Sequence, residues 1–341
     1  MPRPIVCALC ALSVWGGGIQ AQTSPPDSAL SPAARGYLAE ALLIMRENSL
    51  RRLEVDWVEL ESAAFRNARG AVEPADTHEA IRRALRDLGD RHSYLIAPST
   101  GEGAGASVGG AAAPPRPSGR LIEGQWAYVL IPTLGANSYA DSLRHIVGEL
   151  ADREPCGWVV DLRENRGGNM WPMLLGIGPI LGDGTLGYFV DPAGNEQRWI
   201  LDGDRIGIDT MTVLATDRPV TIADAPPPVA VLTGSQTASS GEAVAVAFRG
   251  RTRTRSFGAP TAGLSTANYP FPLSDGAFLN LTISTFADRE RTLYGGPIEP
   301  DKRARSTADD AADEAADAAL AWLRGIAGCE APPASSLAPP G

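Results

Sequence analysis

A short polar loop that leads into two serines is the first part of the sequence that could carry chemistry. The segment VAVLTGSQTASSGEAVAVAF predicts a strand, a loop and then a helix that begins near Ser239 and Ser240. Because the first amides of a helix lack intrahelical acceptors, the Ser240 N–H could stabilise an oxyanion formed when the Ser239 hydroxyl attacks a carbonyl. Ser239 and Glu242 also have the spacing of a capping box, which any helix can use. The segment by itself leaves both interpretations open.

A second strand-to-helix junction, VVDLRENRGGNMW, lies earlier in the chain and contains Gly167 and Gly168. Paired glycines allow a tight turn and leave their N–H groups uncovered by side chains. Ligands of open α/β folds gather where strands end and helices begin. We therefore expect Gly167 or Gly168 to complete an oxyanion hole with Ser240.

The search for a general base is short because the chain has only 3 histidines. His145 lies in a predicted amphipathic helix and His78 in the first turn of another, so both are expected at the surface. His92 follows that second helix, in LGDRHSYLIAP, where the chain could cross towards the rest of the molecule. It is the best placed candidate base, although an isolated histidine can equally be structural.

Several other chemistries do not fit the sequence. An α/β-hydrolase has its histidine after its serine, whereas all three histidines here precede Ser239. The chain has one lysine, Lys302, and Glu299 stands three residues before it, so there is no S-x-x-K motif. No H-E-x-x-H zinc motif occurs, and the chemistry requires neither a metal nor an organic cofactor. A net charge of −10 disfavours nucleic acid as a partner.

The elements that must position these residues change in character along the chain. Residues 31–90 have the spacing of three helices, with Asp76 and Glu79 as a capping box for the third. From about residue 119, strands and helices alternate, which predicts an α/β core behind a small N-terminal helical domain. The expected division is as follows: helical domain 23–98, Gly/Ala/Pro-rich linker 99–118, core 119–327 and disordered tail 328–341.

The N-terminus has the pattern of a secretory signal peptide over residues 1–22, with one positive charge, a short apolar run and small residues near Ala21. We expect a secreted or periplasmic protein without a membrane span. Cys156 and Cys329 then lie in a compartment that permits disulfides. The pattern favours an unpaired, half-buried and inert Cys156.

Taken together, these motifs resemble the C-terminal processing (tail-specific) peptidases, whose catalytic core has a crotonase-like α/β fold. VVDLRENRGG, TASSGEAVAVAF and FGAPTAG…GGPIEPD carry the resemblance, which spans most of residues 85–302. It implies Ser239 as nucleophile and the amides of Ser240 and of Gly167 or Gly168 as oxyanion hole. A PDZ domain, common in this family, is replaced here by the linker.

The base differs from that of many family members. Their lysine follows the motif that corresponds to PTAG, where this chain has Leu264. The tricorn-like branch uses a histidine from upstream of the core, and GDRHSYL resembles that segment, which implies His92 as base. In that branch a serine precedes the histidine and a glutamate orients it. Arg91 and Tyr294 fill those places here, leaving Glu299 and Asp301 as candidate orienting groups.

The expected function is hydrolysis of peptide bonds in a peptide or protein substrate through a Ser-His acyl-enzyme mechanism. The helical domain and linker are expected to close over the cleft. One alternative is a catalytically inactive protein that binds ligands or peptides on the same fold, suggested by the missing lysine. A second alternative is a hydrolase of small esters or amides, which would differ only in its cleft.

Overall fold

A computed structural model describes residues 29–98, 116–222, 226–305 and 313–326. The predicted signal peptide, the glycine-rich part of the predicted linker, Cys329 and the predicted tail lie outside the described residues. Within these ranges, no helix is both long and apolar enough to cross a bilayer.

The N-terminal region consists of three helices that share one apolar core. Ser31 caps the first helix: its hydroxyl oxygen accepts a hydrogen bond from the Ala34 amide. Asp56 caps the second, its carboxylate accepting from the Val58 and Glu59 amides. The buried sides pack around Leu38 and Ile81. The helices are α1 (Pro32–Asn48), α2 (Trp57–Asn67) and α3 (His78–Asp87).

Two sequence predictions for this region are wrong. Asp76 does not cap α3: it belongs to a preceding 3-10 turn, Pro74–Thr77, and its carboxylate accepts hydrogen bonds from the Val72 and Glu73 amides. His78 is not at the surface, since only 8% of it is exposed. Its Nε2 lies 2.8 Å from Asp275 Oδ2, and this pair ties the helices to a distant hairpin turn.

The core contains a six-stranded sheet. Its neighbouring strands are parallel, except that the two strands which come first in the chain are antiparallel to each other. Its middle strands are buried on both faces, which matches their near-continuous apolar sequences. The strands, in spatial order, are β13 (Lys302–Arg303), β10 (Thr254–Gly258), β9 (Val229–Thr233), β4 (Gly157–Asp161), β3 (Trp126–Leu130) and β2 (Ser118–Ile122).

A second, antiparallel sheet has seven strands. Six of them form the path β1 (Tyr94–Ile96), β12 (Phe278–Ala287), β5 (Gly184–Val190), β6 (Glu196–Asp202), β7 (Arg205–Ile208) and β8 (Met211–Ala215), and β11 (Thr266–Pro272) pairs with the other side of β12.

Helices fill the space between the two sheets and cover the outer face of the first. Between the sheets, one large apolar core joins alternate residues of β3, β4 and β9 to four helices. On the outer face, a helix packs over Trp126 and Phe257. The helices are α4 (Tyr139–Ala151), α5 (Met170–Gly176), α6 (Gly178–Leu181) and α7 (Ser240–Ala247) inside, and α8 (Glu314–Ile326) outside. The predicted α/β class with preceding helices is confirmed.

The helical region does not stand apart from the core. β1, which follows α3, pairs with the distant β12, and Leu279 and Leu281 of β12 pack into the apolar core of α1–α3. The division into domains stays a sequence prediction, but one sheet continues from the helical region into the core.

The prediction of an unpaired Cys156 is wrong, because Cys156 is disulfide-bonded.

Candidate active site

Ser239 lies in the turn between β9 and α7, in a backbone conformation that few residues adopt. Its φ is 51° and its ψ is −117°. An ordinary N-cap residue has extended φ and ψ, and a positive φ in a residue with a Cβ costs about 1–3 kcal/mol. Ser239 and Glu242 form a capping box, in which the Ser239 amide donates to the Glu242 carboxylate, so the turn also caps the helix. The strained backbone favours the nucleophile over the simple cap.

Glu242 holds this turn from the inside of the protein. It is 0% exposed, and its Oε2 accepts hydrogen bonds from the Ser239 amide at 2.9 Å and the Leu264 amide at 2.8 Å. Its Oε1 accepts from the Gly263 amide at 2.9 Å and the Thr261 hydroxyl at 2.5 Å. Burial raises the pKa of the Glu242 carboxyl, while these donors lower it. One buried carboxylate therefore joins the serine turn to residues 261–264.

The glycine pair contacts the serine turn directly. Gly167 and Gly168 have φ of 106° and 115°. A Cβ on Gly167 would lie 2.9 Å from the Ser239 Cβ, and a Cβ on Gly168 would lie 2.1 Å from the Leu134 carbonyl oxygen. The Ser240 hydroxyl donates to the Gly168 carbonyl at 2.8 Å. Both positions require glycine because of φ and because of the close approach of backbone.

The amides near Ser239 differ in their availability. The Gly167 N–H donates to Asn165 Oδ1 at 2.9 Å, so it is already satisfied. Neither the Gly168 N–H nor the Ser240 N–H has an acceptor within the described ranges. Of the three predicted oxyanion donors, Gly168 and Ser240 are therefore the two whose N–H groups are available.

Asn165 is a positioning residue that sequence analysis did not single out. It is 0% exposed, and its Nδ2 donates to the carbonyls of Ile131 and Pro132 at 3.1 Å. Its own carbonyl accepts from the Ala238 amide at 2.9 Å, one residue before Ser239. Asn165 thus joins the end of β3, the glycine pair and the serine turn.

His92 reaches the same region from the helical side. Its ring is half-buried, and its Nδ1 lies 2.8 Å from the Thr266 hydroxyl oxygen. Its carbonyl accepts from Asn268 Nδ2 at 2.7 Å, and its amide donates to Asp90 Oδ1 at 3.0 Å. Burial lowers the pKa of the His92 imidazole, and the negative charge of Asp90 partly opposes this. The ring is therefore neutral over more of the pH range than a free histidine.

Residues 261–266 connect the two groups. The Leu264 amide and the Ser239 amide both donate hydrogen bonds to the Glu242 carboxylate. Thr266, two residues after Leu264, is hydrogen-bonded to the His92 ring. No hydrogen bond joins the Ser239 hydroxyl to the His92 ring among the described residues. Catalytic hydrogen bonds are often long in the absence of substrate and shorten when it binds.

The group that contacts the His92 ring is not among the predicted candidates. Glu299 pairs with Arg303 at 2.6 Å, and Asp301 accepts from the Ser256 amide at 2.7 Å. The Tyr294 hydroxyl donates to Asp288 at 2.7 Å. Thr266 takes the place of an orienting carboxylate, and only the fold could reveal it, because 174 residues separate it from His92.

The remaining residues considered in the sequence analysis lie outside this hydrogen-bond network or at its edge. Leu264 stands half-buried where many relatives have lysine, and Lys302 lies exposed on the edge strand β13. His145 is exposed on α4, as expected. Within the described parts of the chain, no cluster of three or more histidine, cysteine or acidic residues could hold a metal ion.

Comparison with known proteins identifies the family of the chain. The model of peptidase family S41 matches residues 125–303. The nisin-resistance protein of Lactococcus lactis subsp. lactis is 29% identical over 94% of this chain and 95% of its own length. The carboxyl-terminal-processing protease of Synechocystis is 27% identical over 51% of this chain and 37% of its own.

A solved structure extends the likeness to the whole fold. The structure of a lipoprotein from Streptococcus agalactiae has a TM-score of 0.67 and 25% identity, covering 87% of this chain and 98% of that one. The resemblance to C-terminal processing peptidases is confirmed. The chain belongs to peptidase family S41.

Proposed function

We propose that this chain hydrolyses peptide bonds with Ser239 as nucleophile and His92 as general base. The observation that carries the proposal is the strained Ser239 backbone, placed against Gly167 with two available amides beside it. Strain of this kind persists only where surrounding structure maintains it, and it clusters at functional sites. The amides of Gly168 and Ser240 act as the oxyanion hole.

The proposed reaction uses each group at a stated atom. His92 Nδ1–H donates to Thr266 Oγ1, which leaves Nε2 to take the proton from the Ser239 hydroxyl. The serine oxygen bonds to the carbonyl carbon, and the negative charge on the carbonyl oxygen rests on the two amides. The C–N bond then breaks as the leaving amine takes the proton from Nε2. Water, activated by the same nitrogen, hydrolyses the acyl-enzyme.

The proposed setting is outside the cytoplasm, secreted or in the periplasm. The signal-peptide pattern over residues 1–22 and the disulfide bond of Cys156 both support it. A peptide or protein substrate follows from the proposed reaction. The helical region supplies the base, so its packing on β12 would control assembly of the site.

A binding protein without catalysis is the second candidate. Leu264 in place of lysine and the absence of a Ser239–His92 hydrogen bond within the described residues favour it. Mature protein incubated with a mixed peptide library separates the two. New peptide termini in mass spectra from wild type, absent with Ser239→Ala, would support the peptidase; no cleavage by folded wild-type protein would favour the binding protein.

A further inference from the structure

A cavity of about 390 Å³ opens beside His92, between the C-terminal half of α3 and β1. It is separate from the groups around Ser239 and contains none of the residues that we assign to catalysis. Five of its nine lining residues are Arg, Asp or Ser, and Leu85, Tyr94 and Leu95 contribute apolar surface. The lining residues are Arg82, Leu85, Arg86, Gly89, Asp90, Arg91, Ser93, Tyr94 and Leu95.

The cavity is positively charged although the whole chain has a net charge of −10. Three arginines line it: Arg82, Arg86 and Arg91. Arg86 pairs with Glu79 at 3.1 Å, and Arg82 and Arg83 contact the same carboxylate. Arg91 has no ion pair among the described residues. Guanidinium groups bind carboxylates through two parallel hydrogen bonds, which makes such a cluster a fitting carboxylate site.

The one acidic residue of the lining, Asp90, is engaged by hydrogen bonds within the turn beside His92. Asp90 Oδ1 accepts from the amides of His92 and Ser93 at 3.0 and 2.7 Å and from the Thr282 hydroxyl at 3.1 Å. Asp90 Oδ2 accepts from the Ser93 hydroxyl at 2.9 Å. Because the Asp90 carboxylate already accepts these hydrogen bonds, it competes only weakly with a ligand carboxylate for the arginines.

The cavity adjoins the base along a strand edge that can carry a peptide. Arg91 and Ser93 flank His92 in sequence, and among the described strands β1 pairs only with β12. Tyr94, the first residue of β1, follows His92 by two residues and is 52% exposed. An extended peptide that contacts Tyr94 would have the arginines within reach.

We propose that this cavity is a carboxylate subsite of the peptidase, in which Arg86 and Arg91 hold an acidic group of the substrate. The carboxylate belongs either to an acidic side chain or to the C-terminus of the peptide. The inference rests on the proposed function, because it assigns this subsite to that reaction. It gives the enzyme a preference for peptides that carry negative charge near the cleaved bond.

Binding to a Ser239→Ala background tests the subsite without turnover. The probes are fluorescein-labelled alanine-glycine peptides of about six residues, with one Glu or Gln scanned through each position and the C-terminus free or amidated. Fluorescence anisotropy is expected to give about tenfold tighter binding for the preferred acidic peptide, the effect of one charge-assisted contact. The preference should shrink as salt rises.

The decisive variant is Arg86→Gln with Arg91→Gln, which should remove the preference while leaving the affinity for neutral peptides unchanged. Arg83→Gln is the matched control: Arg83 lies on the same helix, contacts the same Glu79 at 3.5 Å and does not line the cavity. It should keep the preference. An equal preference in the double variant, or none in the parent protein, would overturn the proposal.

The peptide set also identifies the source of the carboxylate. Loss of the preference on Glu to Gln exchange assigns it to a side chain, and loss on amidation assigns it to the C-terminus. Hydrolysis of a neutral peptide by the wild type tests the peptidase separately. An active enzyme without charge preference would contradict the subsite alone, whereas charge-dependent binding without any hydrolysis would contradict the peptidase.

Discussion

Ser239 and His92 are held by two different kinds of structure. The nucleophile half, residues 161–169, 233–242 and 261–264, is fixed by buried polar groups of the core, chiefly Glu242 and Asn165, both 0% exposed. The base half, Asp90, His92 and Ser93 with Thr266, Asn268 and Thr282, crosses between the helical region and the sheet; His92 is half-buried there and hydrogen-bonded to the buried Thr266.

This difference separates two requirements of the proposed chemistry. Around the serine, backbone amides and a strained turn must stay rigid, because an oxyanion hole works through preorganised donors. The histidine ring needs only one hydrogen bond at Nδ1 and a neutral Nε2, but its position depends on the packing of α1–α3 against β12. Substitutions in the two halves should therefore affect stability and activity in different proportions.

The largest effect is expected for the nucleophile itself. Ser239→Ala should lower kcat/KM by at least about 10³-fold, because no other group replaces the attacking oxygen. Ser239→Gly should abolish activity as well, but raise the free energy of unfolding by about 1 kcal/mol, since glycine tolerates the positive φ. Peptide hydrolysis and urea unfolding measure the two effects. A less stable glycine variant would contradict the account of a strained turn.

Glu242→Gln should damage both stability and activity. The amide would direct an NH₂ group at backbone N–H groups that now donate to the carboxylate, which costs about 2–4 kcal/mol of unfolding free energy. We expect a fall in kcat of about 10²-fold from the displaced serine turn. Urea unfolding and steady-state kinetics check this.

The matched control for Glu242 is Glu59→Gln on α2, where the side chain is 70% exposed. It should change the unfolding free energy by less than about 0.5 kcal/mol. Equal effects of the two substitutions would mean that the buried carboxylate does not hold the nucleophile half.

Thr266→Val should act on the reaction and hardly on folding. Removing the hydroxyl leaves His92 Nδ1 without its partner, so we expect kcat to fall about tenfold with KM unchanged. Thr266→Ser keeps a hydroxyl and should retain most of the activity. A valine variant as active as the serine variant would show that Thr266 does not orient the base.

The smallest expected effect concerns pH. Burial lowers the pKa of His92 below its ordinary 6.5, so activity should persist into mildly acidic solution and fall as the ring becomes protonated. Asp90→Asn removes the charge that raises this pKa, so the acid limb of kcat/KM should move to lower pH. A limb that moves to higher pH would contradict the assignment of His92 as base.

The nucleophile half could be predicted from the sequence because its parts are local. Strand, glycine pair, serine turn and helix follow one another in the β4 and β9 segments, and their apolar patterns identify them. Nothing local distinguishes Asn165 or Glu242 from an ordinary loop residue and an ordinary capping residue. Their importance appears only in the fold, where both are buried and their hydrogen bonds join the serine turn to neighbouring segments.

The base half was less accessible to prediction. The resemblance of GDRHSYL predicts His92 as base but not Thr266 as its partner, since the contact between them depends on how β11 and β12 pair beside β1. His78 was expected at the surface, yet its partner Asp275 lies in the turn between β11 and β12. Both contacts, His92 with Thr266 and His78 with Asp275, depend on long-range pairing of strands, which the periodicity of the sequence does not encode.

The central claim is that the two halves act as one site, and labelling with a fluorophosphonate probe tests it most directly. Such probes react with activated serines. We predict rapid labelling of the wild type, none of Ser239→Ala, and labelling slowed by about 10³-fold in His92→Ala with an unchanged melting temperature. Labelling of His92→Ala at the wild-type rate would contradict the claim.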